Sequence, residues 1–135
     1  MLARFLKGKV EGAYSFLRIV AGLMFAFHGV QGIFGVLASA PRPPVGSQLW
    51  LGSLIQLATG FLIAAGFCTT WAAFLASGTM AVAYLQFHWK FQFNPWFFPT
   101  LNKGELALLY SVLFLFVACR GDGKWSIGRL LGTKP

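Results

Sequence analysis

The sequence predicts an all-α integral membrane protein, a four-helix bundle with its N- and C-termini in the cytoplasm. Hydrophobic residues make up 57% of the 135 residues and charged residues only 10%, whereas a soluble domain carries about 25% charged residues. The apolar residues fall into four long runs, separated by short polar or proline-rich strings. Most of the basic residues lie outside these runs. Together these observations favour a chain that is solvated mainly by lipid.

Each of the four apolar runs approaches the length of about 20 helical residues that a membrane span needs. The first run ends before the string 40–44, because its three prolines cannot continue a helix. The second and third are joined by so short a turn that they must be antiparallel neighbours. The chain is therefore predicted to be a single transmembrane domain over 1–135, with an aromatic outer loop at 89–102 and spans at 14–36, 49–66, 71–88 and 103–119.

The distribution of basic residues predicts the orientation of the bundle. The two tails contain most of them, namely Arg4, Lys7, Lys9, Arg120, Lys124, Arg129 and Lys134. Cytoplasmic segments of membrane proteins are enriched in such residues, and an even number of spans requires both tails on one side. The net charge of +8 does not predict nucleic-acid binding, which needs cations gathered on one water-facing surface. The first run is also too long for the apolar core of a signal peptide, about 7 to 15 residues.

A few polar side chains inside the spans form the candidate site. With a rise of about 1.5 Å per residue, all of them are predicted to lie in the outer half of the bundle. Such a cluster can take up protons, hold the head group of a quinone or bind a small ligand. Alternatively, the same groups only hold the helices together, at about 0.6 to 2 kcal/mol each. The residues of this predicted site are His28, Gln56, Tyr84, His88 and Glu105.

Some of the polar and aromatic residues also have local interpretations. Asn102 and Glu105 have the spacing of a capping box, with Asn102 at the N-cap and Glu105 at the third helical position. Arg18 lies about one turn inside the cytoplasmic boundary, where its side chain is predicted to reach the headgroups and anchor the helix; pairing inside the bundle is the alternative. Tryptophans favour the same interfaces, so further anchors are predicted at Trp89, Trp96 and Trp125.

The sequence predicts no metal site. Cys68 and Cys119 are far apart and lack metal-ligand spacing, and both are expected at the end of the bundle opposite the histidines. The estimated depths of His28 and His88 differ by about 7 Å at a rise of about 1.5 Å per residue, which disfavours a shared haem iron. The residues alone therefore define no resident cofactor and no catalytic apparatus.

Several short motifs occur in a fixed order along the chain. They are Leu17-Arg18 with Gly22, Phe25, His28 and Gly29, then Gly60 and Gly66, then Ala83-Tyr84 and His88, then Asn102-Lys103-Gly104-Glu105 with Tyr110, and finally Gly121-Asp122-Gly123-Lys124-Trp125-Ser126. In order and spacing the chain resembles the DoxX family of small four-helix bacterial membrane proteins over nearly its whole length. It departs from that family at Gln56, where many relatives have glutamate, and at Ile127-Gly128, where many have aspartate.

The resemblance implies a multi-pass protein of the bacterial inner membrane that works beside redox enzymes. Relatives are described as subunits of thiosulfate:quinone oxidoreductase and as membrane partners in oxidative-stress complexes. The function expected for this chain is a small anchor or accessory subunit of such a complex, not catalytic by itself. The alternative is a quinone-interacting oxidoreductase subunit, in which any proton role falls on His28, His88 and Glu105. The expected partners are the lipid bilayer, a larger membrane complex and a small hydrophobic ligand.

Overall fold

The computed structural model describes residues 1–132, so Lys134, one of the tail cations counted above, lies outside the described part. That part contains helices and no strand, as the all-α prediction requires. A π-helical turn, Tyr84–Trp89, continues α4, and a 3-10 turn, Pro95–Phe97, lies in the loop before α5. The α-helices are α1 Leu2–Lys7, α2 Val10–Phe34, α3 Gln48–Ala65, α4 Thr69–Ala83, α5 Glu105–Arg120 and α6 Ile127–Leu130.

Each of the four long helices, α2 to α5, overlaps one of the predicted spans. Among the described residues, α2 and α3 are long and apolar enough to cross a membrane by length and composition. The π-helical turn extends α4 to Trp89, whereas α5 is 16 residues long. The number of spans and the side on which the termini lie stay predictions.

Local chemistry explains where α2 and α3 begin and end. The Ser47 hydroxyl accepts a hydrogen bond from the Trp50 amide at 3.2 Å, which caps the N-terminus of α3. Gly35 follows α2 and Gly66 follows α3, with left-handed φ values of 71° and 70°. Glycine adopts this conformation without the penalty of a Cβ atom. The bounds of these helices thus follow from their own sequences.

The core is an aromatic stack surrounded by small residues. The Phe25 and Phe114 rings, both fully buried, have centroids 4.8 Å apart, and the Tyr110 ring stacks on Phe114 at 5.3 Å. α2 packs closely on α3 because Gly22 and Gly60 let the two backbones approach; a Cβ added to Gly60 would lie 2.4 Å from the Ala26 nitrogen. α4 packs mainly on α5, and α3 meets α4 less closely.

Large apolar side chains point outward along all four long helices. Exposed examples are Phe16 on α2, Phe61 on α3, Phe74 on α4 and Phe116 on α5. Monomeric soluble proteins rarely leave so much contiguous apolar surface exposed. This surface favours a lipid environment.

Candidate functional site

The five polar residues predicted to form one site contact different neighbours. Within residues 1–132, Tyr84 and His88 are the two of the five that share a partner, which is Asn102. His28 faces an aromatic ring of α5, Gln56 lines a groove between α3 and α4, and Glu105 lies at the surface. A single ligand site that uses all five residues stays a prediction.

Asn102 organises the segment that follows α4. Its side chain is 4% exposed, and its Nδ2 donates to the Trp96 carbonyl at 2.8 Å and lies 3.5 Å from the Tyr84 hydroxyl. Its Oδ1 accepts from the Gly104 amide at 2.8 Å. His88 Nδ1 lies 3.2 Å from the Asn102 carbonyl oxygen, which can only accept, so this hydrogen bond requires a proton on Nδ1. One buried amide thus connects the π-helical turn, the aromatic loop and the approach to α5.

The predicted capping box at α5 is wrong. Gly104 occupies the N-cap position and Glu105 is the first helical residue, so Asn102 does not cap the helix. Asn102 instead closes a turn onto the Gly104 amide, helped by a left-handed Lys103 with φ 58°. The Glu105 carboxylate accepts from the Thr100 hydroxyl at 3.1 Å. A carboxylate at this position is favoured by the helix dipole, so Glu105 has a structural role at the start of α5.

The aromatic loop packs around Trp89. The Trp89 ring stacks on the Tyr84 ring and also contacts the rings of Phe91, Phe93 and Phe97. Its centroid lies 5.2 to 6.4 Å from theirs. Trp96 remains exposed on this loop. Trp125, the third predicted anchor, is exposed at the other end of the bundle. The anchoring role of these three tryptophans stays a prediction.

We expect Asn102→Ala to loosen the aromatic loop and lower the free energy of unfolding by about 1 to 3 kcal/mol, since it leaves buried polar groups unpaired. The loop should then be cleaved faster by trypsin after Lys90 and Lys103, measured by mass spectrometry of the fragments. Asn94→Ala is the matched control, because Asn94 is exposed and its side chain bonds only to the nearby Trp96 amide. Equal cleavage in the two variants would contradict the organising role of Asn102.

His28 lies on α2 beside the aromatic core. Its ring meets the Tyr110 ring edge-on, with centroids 6.3 Å apart. The Tyr110 hydroxyl is buried and has no hydrogen-bond partner among the residues that the structure describes. His28 itself is half-buried, so it lies at the edge of the core to which Tyr110 belongs.

At the opposite end of the bundle, Arg18 is fully buried. Its guanidinium donates to the Ile63 and Ala64 carbonyls of α3, the latter at 2.8 Å, and to the Trp125 carbonyl beyond α5. The prediction that Arg18 reaches the headgroups as an anchor is therefore wrong, and the alternative of pairing inside the bundle describes its placement. The physical reason is local: the last carbonyls of a helix lack intrahelical donors, and the planar guanidinium can serve several of them.

Tyr14 and Ser15 complete this polar centre. The Tyr14 hydroxyl donates to the Gly121 carbonyl, and the Ser15 hydroxyl accepts from the amides of Lys124 and Trp125 at 3.2 and 3.4 Å. The segment 121–131, called here the C-terminal strap, is thereby bound to α2. A backbone bond of 2.9 Å from the Gly128 amide to the Gly66 carbonyl joins it to the end of α3 as well.

The strap and its partners were not predicted from the sequence. One signal for them was available, because Tyr14 and Arg18 are four residues apart and so lie on the same face of a helix. An arginine and a tyrosine on one face, within an apolar run, indicate a shared polar partner. That partner is a backbone segment more than 100 residues away along the chain, and no local pattern marks it.

Residues 1–132 form helices and no strand, two of these helices are long and apolar enough to span a membrane, and large apolar side chains are exposed, which is the pattern expected of a membrane protein. Comparison with known families agrees: the DoxX family model matches residues 13–89. The chain is 39% identical over 112 residues to an uncharacterised protein of Haemophilus influenzae, a match that covers 81% of this chain and 83% of that protein. No solved structure matches. This protein belongs to the DoxX family.

The family match begins near the start of α2 and ends with the π-helical turn. Arg18, His28, Gln56, Tyr84 and His88 lie within it. The segment from Asn102 to Glu105 and the C-terminal strap lie beyond it, although they include two of the motifs on which the resemblance rested.

Proposed function

We propose that this protein is a small accessory subunit that anchors or assembles a larger redox complex in the inner membrane of a bacterium. In this proposal α2, α3, α4 with its π-helical turn, and α5 cross the bilayer, and both tails face the cytoplasm. The excess of basic residues in the tails supports the orientation. The redox character is supported by the resemblance to relatives that act beside redox enzymes.

The observation that carries the proposal is the surface of the C-terminal strap. Its backbone is held to the bundle by Arg18, Tyr14 and Ser15, yet its apolar side chains point outward. Ile127 is 45% exposed and Leu130 is 86% exposed. An apolar surface on a well-held backbone with basic neighbours is typical of a site for protein or membrane contact. Its position at the predicted cytoplasmic end suits a soluble or peripheral partner subunit.

Purification in a mild detergent tests the proposal, with co-purifying proteins identified by mass spectrometry. The wild-type protein is expected to carry subunits of a redox enzyme. The double variant Ile127→Ser/Leu130→Ser should lose them while remaining in the membrane, because it removes apolar contact area without touching the bonds of the strap. Leu2→Ser/Leu6→Ser is the matched control, since these α1 residues are also exposed and apolar and lie in the other tail.

Two results would contradict this proposal. One is that the wild-type protein is isolated as a lone, monodisperse bundle. The other is that both double variants retain the partner equally, in which case the strap is not the contact surface.

A further inference from the structure

A long groove runs between α3 and α4, on the side where these helices meet less closely. It has a volume of about 1020 Å³ and is lined mainly by one face of α3 and one face of α4, together with Gln31 and Gly32 of α2, loop residues 38–41 and 43, and Phe87. This volume is at the upper end of ordinary small-molecule sites, about 300 to 1,000 Å³. Most of its lining side chains are apolar. Of the polar α3 residues that line it, Gln56 lies furthest along the helix from its N-terminus.

Two glycines line the groove at positions where helix packing does not require a glycine. A Cβ added to Gly52 or Gly78 would meet nothing within 4 Å. On the same helix as Gly52, a Cβ added to Gly60 would lie 2.4 Å from the Ala26 nitrogen. Glycine inside a helix is less stable than alanine, and close helix packing accounts for Gly60 but not for Gly52 or Gly78. Both of these unexplained glycines line the groove.

The Gln56 side chain needs a partner that the described residues do not supply. It is half-buried, it lines the groove, and no hydrogen bond to it is formed within residues 1–132. An amide in hydrocarbon is unfavourable unless it is hydrogen-bonded. The groove therefore suits a molecule that is mostly apolar and carries a group able to bond to an amide.

The contacts at the outer end of the groove favour a lipid over a partner helix as its occupant. Gln48 Nε2 donates to Gln86 Oε1, which joins the start of α3 to the π-helical turn, and residues 38–41 and 43 line the same end. A partner helix about 10 to 12 Å wide would have to pass through this closed end to cross the bilayer. A lipid that enters from the side would not. No charged side chain of the described part lines the groove, which favours an uncharged molecule over a charged one.

We propose that the α3–α4 groove binds an uncharged lipid, with the lipid head hydrogen-bonded to Gln56 and its apolar part against Gly52 and Gly78. This inference rests on the membrane placement given under the proposed function, and it does not require the partner complex. The bound lipid fills the gap between α3 and α4 that the protein leaves open.

Photolabelling of the isolated full chain in phosphatidylcholine nanodiscs tests the inference. The probe is dioleoylglycerol with a diazirine in one acyl chain, and the charged comparison is dioleoylphosphatidylglycerol with the same diazirine. The wild-type protein is expected to be labelled by the uncharged probe on the groove faces of α3 and α4. Gly52→Leu/Gly78→Leu fills the groove and should reduce this labelling about tenfold. Ala58→Leu is the matched control, because Ala58 is exposed on α3 outside the groove, and it should leave the labelling unchanged.

Gln56→Leu provides a second variant that leaves the width of the groove unchanged. Loss of one hydrogen bond should lower labelling by about two- to tenfold. Equal labelling by the charged probe, or labelling that neither variant changes, would overturn the inference. A dimer in the native mass spectrum with no retained lipid would assign the groove to a second copy of the chain. Since the labelling uses the isolated chain without any partner, a negative labelling result leaves the proposed role as an accessory subunit untouched. In the same way, a negative co-purification result leaves the lipid inference untouched.

Discussion

Replacing Arg18 by alanine is expected to release the C-terminal strap from the bundle and to lower the free energy of unfolding by more than about 3 kcal/mol. Three carbonyl groups lose the hydrogen bond from the guanidinium, those of Ile63, Ala64 and Trp125, although the Ile63 carbonyl keeps a bond from the Gly66 amide at 3.1 Å. A hydrogen bond to a charged group contributes about 1.5 to 3 kcal/mol, and the three contributions are not additive because they share one side chain. The variant also leaves a cavity, because the side chain is fully buried.

Limited trypsin digestion measures the release directly, because Lys124 and Arg129 lie within the strap. In the wild-type protein the strap backbone is bound and should resist cleavage. In Arg18→Ala, fragments produced by cleavage after Lys124 and Arg129 should appear early in the digestion. Thermal unfolding in the same detergent reports the loss of stability. Arg4→Ala is the matched control, since it removes an exposed cation on α1.

Arg18→Lys separates charge from geometry. It keeps the positive charge but replaces a planar fork of donors with a single ammonium group, so it should restore only part of the protection. Full protection of the strap in Arg18→Ala would show that Tyr14 and Ser15 hold it without the guanidinium.

Gly60→Ala and Gly52→Ala, two identical substitutions on one helix, are expected to change stability in opposite directions. In Gly60→Ala the new Cβ lies 2.4 Å from the Ala26 nitrogen and 2.7 Å from its Cα, so α2 and α3 must move apart. Overpacking of this kind costs about 1 to 3 kcal/mol. In Gly52→Ala the new Cβ meets nothing within 4 Å, and the better helix former should stabilise α3 by up to about 1 kcal/mol.

Reversible unfolding of the two variants in mixed detergent micelles measures both effects. The denaturant concentration at the midpoint of unfolding should fall for Gly60→Ala and should stay the same or rise for Gly52→Ala. Gly29→Ala extends the test to the facing helix, where the new Cβ would lie 2.3 Å from the Leu57 nitrogen, and it should behave like Gly60→Ala. A loss of the same size at Gly52 would contradict the open groove on which the lipid inference depends.

Much of the secondary structure could be predicted because its causes are local. Gly35, the Ser47 cap and Gly66 lie directly beside the helix ends that they specify. The start of α5 was mispredicted because Asn102 satisfies a neighbouring turn and is buried against the aromatic loop. A residue with the spacing of a helix cap can instead form hydrogen bonds with residues outside the helix, and Asn102 does so here.

The depth of the candidate-site residues in the membrane stays a prediction, whereas the direction in which their side chains point could not be predicted from the sequence. The rise per residue places His28 and Gln56 at similar levels, yet His28 turns toward the aromatic ring of α5 and Gln56 toward the α3–α4 groove. Position along a helix axis follows from counting residues. Rotation about that axis depends on which neighbouring helix packs against each face, and apolar helices with large side chains all round give little indication of it.

The amino-acid sequence alone therefore specifies an apolar, all-helical membrane protein, the four long helices and a resemblance to the family to which the chain belongs. Composition and local spacing carry that information. The inward placement of Arg18, the binding of the strap, the contrast between Gly52 and Gly60 and the open groove all depend on the packing of the helices. Each involves residues far apart in the chain, and the contacts that bring them together form only when the bundle is assembled.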